Sequence, residues 1–258
     1  MTHSTPLAAA QDLIKSANSI LFITGAGLSA DSGLPTYRGV GGLYEGQRTD
    51  EGYAIETALS ASMFKHRPEI TWKYLWQIGS ACYQARFNQG HAIIADIEKN
   101  KPNTWVLTQN IDGFHHQAGS KNLIEIHGRG ERLYCVACDF ESTAEQLLAN
   151  YQQTISLPPH CPQCGGLIRP DVVLFEEMLP EKALSQLYQL LDTMPFDVVV
   201  VVGTSAQFPH IQQPVVLAKQ LAIPIIEINP SETELSALAS YHLRGGAAEM
   251  LKALWANE

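Results

Sequence analysis

The stretch Ser19-Ile-Leu-Phe-Ile-Thr-Gly-Ala-Gly-Leu-Ser-Ala-Asp31 decides the fold. Residues 19–24 form an apolar run without alternation, as a strand buried on both faces requires. Gly25-Ala26-Gly27 follows at once, and 28–31 open a helix whose reach Pro35 limits. Strand, glycine turn and helix in that order begin a βαβ unit. Glycines at such a turn let the backbone approach a pyrophosphate, and the helix offers its first N–H groups to it. Ala30 takes the third position of this dinucleotide fingerprint. A ligand-free strand–helix turn looks the same, so the turn alone does not assign a function.

Working outward, the pattern repeats. Strands are expected at 104–108, 122–126, 197–202 and 224–228, and a different region opens at 132–135. Helices are expected at 7–17, 68–86, 91–98, 143–151, 211–221 and 247–255. The segment 39–62 reads as a loop with short helical pieces. Asp197 is followed by five valines, the run of a parallel strand buried on both faces. The fold class is therefore α/β, a Rossmann-like doubly wound parallel sheet. One dinucleotide-fold feature is missing. An acidic residue to hold the ribose is due about 20 residues after the glycine turn, at the end of a second strand. The loop 39–44 stands there, which excludes a plain dehydrogenase.

The 258 residues carry a net charge of −9, with 45% hydrophobic and 17% charged residues. That is a globular composition, and it excludes a disordered chain. The acidic balance argues against broad nucleic-acid binding and fits a basic peptide partner. The longest apolar runs, 20–23, 198–202 and 223–228, are strand-length and fall short of the roughly 20 residues of a membrane helix. No secretory signal is read in 1–10. A cytoplasmic location and no membrane partner are expected. Nothing in the sequence sets an oligomeric state.

Four of five cysteines form two C-x-x-C pairs, Cys135/Cys138 and Cys161/Cys164, separated by 22 residues. Two such pairs make a tetrahedral four-thiolate zinc site, and a full thiolate set leaves no open position for catalysis. The fifth, Cys82, lies on an apolar helix face and reads as a small buried hydrophobe.

Polar residues gather where strands end: Gln109, Asn110 and Asp112 after one, Glu125 and His127 around another, Gly203, Thr204 and Ser205 after a third, Asn229 after a fourth. Ligands of open α/β sheets bind beyond those carboxyl ends. A lone histidine there is usually structural, but His127 shares its position with three other polar strand ends.

These residues, in this order, resemble the sirtuins, in a bacterial-type form. The likeness rests on Gly25-Ala-Gly-Leu-Ser-Ala-Asp-Ser-Gly-Leu-Pro-Thr-Tyr-Arg-Gly39, Thr108-Gln-Asn-Ile-Asp112, Glu125-Ile-His-Gly128, the four cysteines, Arg169-Pro-Asp-Val-Val173, Gly203-Thr-Ser205 and Ile228-Asn229. It runs from about 12 to 256. It implies an NAD-dependent protein-lysine deacetylase that acts on acylated lysines of proteins or peptides. In family chemistry the acyl oxygen attacks the nicotinamide ribose, nicotinamide leaves, an alkylimidate forms, and a histidine serves as general base on the ribose hydroxyls. O-acetyl-ADP-ribose is the product.

Carried over by position, His127 is the base, and Asn110 and Asp112 join it as catalytic residues lining the nicotinamide pocket. Gly25, Ala26, Gly27, Arg38, Gln109, Asn110, Ile111, Asp112, Gly203, Thr204, Ser205 and Asn229 hold NAD. Tyr37, Val173, Phe175 and Glu177 meet the acyl-lysine substrate, with the 173–177 backbone pairing to it as an added strand. Ordinary core is the other reading of Val173 and Phe175. One structural zinc per chain sits on Cys135, Cys138, Cys161 and Cys164. The expected division is an NAD-binding domain of 1–39, 91–130 and 168–258. A small domain of 40–90 (helical) and 131–167 (zinc) is inserted into it.

Three departures from the family pattern stand out. Phe175-Glu176-Glu177 replaces Phe-Gly-Glu, which puts an extra carboxylate beside the peptide cleft. Ala206-Gln207-Phe208 before Pro209 is one residue short. Thr36 is typical of the desuccinylating branch, yet Lys73-x-x-Trp76 stands where that branch carries Tyr-x-x-Arg. A lone Lys73 lacks the bidentate fork, so neutral acyl groups, acetyl first, are expected. The rivals are another acyl group or ADP-ribosyl transfer on the same scaffold, and a catalytically weak NAD-binding module.

Overall fold

The computed structural model describes residues 5–36, 48–150, 156–193 and 196–256. Tyr37 and Arg38 lie outside them. The chain opens with α1 (Pro6–Ser16), which starts where Thr5 Oγ1 accepts the Ala8 N–H and Pro6 fills the first turn. Next come β1 (Ser19–Thr24) and α2 (Ala26–Ala30), which begins inside the glycine turn rather than at Leu28. Short helices α3 (Ile55–Ala58) and α4 (Ala61–His66) lead into α5 (Pro68–Gln84). Helix α6 (Gln89–Asn100) starts two residues earlier than its apolar spacing indicates, because Asn88 and His91 form a reciprocal cap. Then follow β2 (Asn103–Thr108), α7 (Phe114–Ala118), β3 (Leu123–Glu125), β4 (Gly128–Cys135), β5 (Glu141–Thr143), α8 (Ala144–Asn150) and β6 (Ile168–Val172). The chain closes through α9 (Glu181–Thr193), β7 (Val198–Val202), α10 (Pro209–Gln220), β8 (Ile225–Ile228), β9 (Tyr241–Leu243) and α11 (Ala247–Leu254).

Six strands form one parallel sheet in the order β3-β2-β1-β7-β8-β9. The first three run outward to one side and the last three to the other. The direction reverses between β1 and β7, which pair with Thr24 beside Val202. That reversal opens a crevice at the carboxyl end of the sheet, the place where doubly wound folds bind ligands. Alternation explains the continuous apolar runs. Phe22, Val198, Val200 and Val202 pack into one core with Ile94, Leu251 and Leu254. Leu21, Ile23, Val199 and Val201 pack into another with Leu187, Leu190 and Val215. Each such side chain contributes about 1.5–3 kcal/mol by leaving water.

A second, antiparallel sheet has the order β5-β4-β6. Its apolar side joins a third core drawn from residues 55–75 and 133–174, including Phe64, Trp72, Leu75, Leu133, Cys135, Cys161 and Ile168. The Trp72 Nε1–H donates to the Ile168 carbonyl at 2.8 Å, fixing α5 to β6. Among the described residues no helix is long and apolar enough to cross a membrane.

Candidate active site

Gly25 and Gly27 have a structural duty besides any ligand. A Cβ on Gly27 would lie 2.7 Å from the Gly203 Cα, and one on Gly25 2.8 Å from the Gly203 carbonyl oxygen. Gly203 is left-handed (φ 58), as a glycine allows. The β1 and β7 turns thus touch backbone to backbone across the crevice. Ala30 is exposed, so the close helix–strand packing of a third fingerprint glycine falls to Gly27.

The four polar strand ends meet in one hydrogen-bonded group. Asn110 Nδ2 donates to the Gly25 carbonyl at 3.0 Å and to Ser29 Oγ at 3.2 Å. Ser29 Oγ donates onward to Asp112 Oδ2 at 2.7 Å, and Asp112 Oδ1 accepts the Phe114 N–H. Gln109 Nε2 donates to Thr204 Oγ1 at 2.8 Å, and Asn229 Nδ2 donates to the Thr204 carbonyl at 3.2 Å. Thr204 is buried and its hydroxyl is engaged within the protein, whereas Ser205 is exposed. Ile111 is half-buried against the third core, and its carbonyl accepts the Gly130 N–H. Burial pushes the Asp112 carboxyl up, against the pull of its two donors.

His127 follows β3, half-buried. Its Nδ1 lies 3.2 Å from the Gln109 carbonyl, and its Nε2 lies 3.0 Å from Nε2 of His210. Burial, then the neighbouring His210, push His127 down to about 4, although the Gln109 carbonyl pulls the other way. It is a neutral imidazole at pH 7, the state a general base requires. A carbonyl only accepts, so Nδ1 carries the proton and Nε2 presents the lone pair.

Sequence reasoning missed several members. His210 and Phe208 stack on each other at 5.5 Å and 16°, and both stand edge-on to His127. Behind Asn110, Thr24 Oγ1 is 2.9 Å from both Thr108 Oγ1 and His115 Nε2. Ser29 and Thr24 were legible, lying inside or beside the glycine motif. His210 carries no local signal, since its proximity to His127 is tertiary.

Partners within the chain hold part of the expected substrate segment. The Glu177 carboxylate, expected at the peptide, instead grips Arg169 through two oxygens, at 2.6 and 3.0 Å, and accepts the Leu174 N–H. Arg169 is buried, so its charge demands that partner. Glu176, also expected at a basic peptide, accepts the Ser62 N–H and Oγ–H at the start of α4. Its φ of 74 explains the glycine usual at this position. The N–H groups along the expected substrate strand also have partners in this structure. The N–H groups of Val173, Leu174, Phe175 and Glu177 go to the His127 carbonyl, the Glu177 carboxylate, the Leu59 carbonyl and the Leu174 carbonyl. Val173 is half-buried beside His127, and Phe175 packs on the third core. Lys73 is held by Asp50 and Glu51, both at 2.7 Å.

The four cysteine sulfurs lie within 4.8 Å of one another, with Cys135–Cys164 at 3.5 Å and Cys138–Cys161 at 3.7 Å. Zinc–sulfur bonds of about 2.3 Å in a tetrahedron set sulfurs roughly 3.8 Å apart, so the donor set fits zinc. The N–H groups of Ala137, Gln163 and Gly166 point at Cys135, Cys161 and Cys164, as thiolates favour. Cys82 is half-buried rather than buried, and desolvation pushes its thiol up to about 12.

Fold and site together define a Rossmann-like α/β protein with a polar crevice at its switch point and a separate four-cysteine metal centre. The Sir2 family pattern matches residues 25–209, and the chain belongs to that family. It is 51% identical over 253 residues to NAD-dependent protein deacylase 2 of Pseudomonas aeruginosa, covering 97% of this chain and 96% of that one. It is 38% identical to the NAD-dependent protein deacylase of Aquifex aeolicus, covering 92% and 94%. Among solved structures, a Sir2 homolog–NAD complex superposes with a TM-score of 0.83 at 34% identity, covering 96% and 91%. A Sir2 protein with deacetylated p53 peptide and 3′-O-acetyl ADP-ribose gives 0.85 at 27%, covering 96% of each chain.

Proposed function

We propose that this chain is an NAD-dependent protein-lysine deacylase, acetyl being its first acyl group. The observation that carries the reading is the convergence of a neutral His127 with Asn110 and Asp112 at the switch point. The relatives' shared name, NAD-dependent protein deacylase, supports it.

NAD supplies a glycosidic bond whose cleavage releases nicotinamide and leaves a ribose carbon open to the acyl oxygen. The chain's own residues do the rest. Gly25, Ala26 and Gly27 let the backbone come close to the pyrophosphate, with the Gly25 and Gly27 N–H groups held by the Val202 and Gly203 carbonyls, and Arg38 assists. Gln109, Gly203, Thr204, Ser205 and Asn229 receive the ribose and adenosine ends. Asn110, Ile111 and Asp112 line the nicotinamide side, with Asn110 and Asp112 oriented through Ser29. His127 takes a proton at Nε2 while the Gln109 carbonyl holds its Nδ1–H. Tyr37 and Val173 flank the acyl-lysine, and Phe175 supports that wall from the core. A lysine already neutralised by Asp50 and Glu51 has no charge to spare for a succinyl carboxylate, which favours neutral acyl groups. The proposed division sets a small domain of 40–90 and 131–167 into the NAD-binding domain of 1–39, 91–130 and 168–258; the third core joins the two pieces of the small domain, with Ile168 and Val172 of β6 packed into it as well. A reduced four-thiolate centre fits a cytoplasmic setting.

The test is a mass-spectrometric panel of acetylated, longer-acyl and succinylated peptides with NAD. Acetyl removal is expected to lead, and His127→Ala is expected to abolish turnover while folding and NAD binding persist. Efficient desuccinylation with weak deacetylation would overturn the acyl assignment.

A further inference from the structure

Among the described residues, His210 is the imidazole set nitrogen to nitrogen against the base, 3.0 Å from His127 Nε2. Two imidazole nitrogens at that distance share one proton, one donating and the other accepting. The Gln109 carbonyl fixes the proton of His127 on Nδ1. His127 Nε2 is therefore the acceptor, and His210 Nε2–H is the donor. The shortened 206–208 segment puts it there. Ala206 turns through a left-handed φ of 53, its N–H on Thr204 Oγ1 and its carbonyl accepting from Gln212 Nε2. Pro209 then starts α10 at once, so His210 in its first turn faces the cleft. Phe208 stacks on the His210 ring and stands edge-on to His127, which fixes both planes. His210 is half-buried. Burial also lowers its pKa, so both rings are neutral near pH 7.

We propose that His210 is a positioning and proton-relay residue for His127. It caps the base's lone pair in the ligand-free cleft and carries the proton away from it during turnover. The inference rests on the reading of His127 as general base. When a substrate hydroxyl takes the place at His127 Nε2, His210 is released and moves through solvent exchange to the tautomer protonated at Nδ1. His127 takes the hydroxyl proton at Nε2. That proton then passes to the bare Nε2 of His210, while His210 gives its Nδ1 proton to water. Both rings return to their starting tautomers, with one proton delivered to solvent and no net charge left behind.

Two measurements test this on the full-length protein. Long-range proton–nitrogen NMR of the ligand-free protein is expected to show His127 protonated at Nδ1 and His210 at Nε2. In His210→Ala the His127 pKa is expected to rise. In kinetics with an acetyl-lysine peptide, His210→Ala is expected to slow product formation about tenfold. That is below the roughly hundred- to ten-thousand-fold of a direct proton transfer, and single-turnover nicotinamide release should stay within about twofold. Added imidazole is expected to restore product formation. His210→Gln, which donates a hydrogen bond but relays no proton, is expected to remain slow. The inference is overturned by wild-type rates in either variant, by equal losses of nicotinamide release and product, or by a proton on His127 Nε2. If the wild type releases no nicotinamide, or if His127→Ala turns over normally, the base reading falls and takes this inference with it. An active wild type, an inactive His127→Ala and an unaffected His210→Ala remove the relay alone.

Discussion

At the scale of single residues, the site separates groups that the sequence places side by side. Glu176 and Glu177 are adjacent carboxylates at the expected peptide cleft, yet only Glu177 is turned inward, while Glu176 stays exposed. Burying the Arg169 guanidinium without a counter-charge is costly, and Glu177 meets it with both oxygens. Glu176 occupies a backbone conformation that suits glycine and holds the first turn of α4 through Ser62. Arg169 offsets the charge of Glu177, whereas Glu176 keeps its negative charge at the surface. Glu177→Ala is expected to cost about 3 kcal/mol, the order found when a buried ion pair loses one member. Chemical denaturation measures this directly. An unchanged midpoint with a raised peptide KM would instead restore Glu177 to the substrate.

At the scale of elements, the cysteine centre ties together strands too short to stand alone. Strand β5 has three residues and, among the described residues, pairs with β4 alone. Cys135 ends β4 and Cys161 precedes β6, and both are buried in the third core with Trp72 and Ile168. The metal thus bears on α5 as well as on its own loops. Zinc content near one per chain is expected, and Cys138→Ser is expected to lose the metal and melt this core ahead of the parallel sheet. A metal-free variant with an unshifted single transition would contradict that role.

The same scale shows what sequence can carry. The glycine turn, the valine strand and the C-x-x-C pairs are local patterns, and each leads to its structure. Leu184, Leu187, Leu190 and Leu191 of α9 lie at helical spacing, a local pattern of the same kind. Strand β9 has only three residues and is defined by pairing with β8 rather than by pattern. The His127–His210 contact and the Arg169–Glu177 pair are likewise set by packing. What a side chain meets across the fold is decided by packing, and spacing along the chain does not encode it.

At the scale of the molecule, buried histidines make stability sensitive to acid. Burial pushes His91 down to about 4, lowers the fully buried His115 well below the usual histidine value, and holds His127 near 4. In the unfolded chain each titrates near 6.5. The folded state therefore binds fewer protons than the unfolded state between those values. Their contribution is complete above about pH 6.5 and is lost as pH falls toward 4. Asp112 and Glu125, whose carboxyls burial raises, act in the opposite direction. A comparison with His91→Gln isolates one histidine. Its unfolding free energy is expected to fall less steeply between pH 6.5 and 4 than that of the wild type, and parallel slopes would remove His91 from the account.

The whole fold, a switch-point crevice beside a metal-braced core, serves one coupled reaction in this reading. The most direct test is a mass balance with wild-type protein, NAD and an acetyl-lysine peptide. The account predicts nicotinamide, free lysine and O-acetyl-ADP-ribose in equal amounts, with none released when peptide is omitted. A protein that binds NAD yet releases no nicotinamide with any acyl peptide would contradict it.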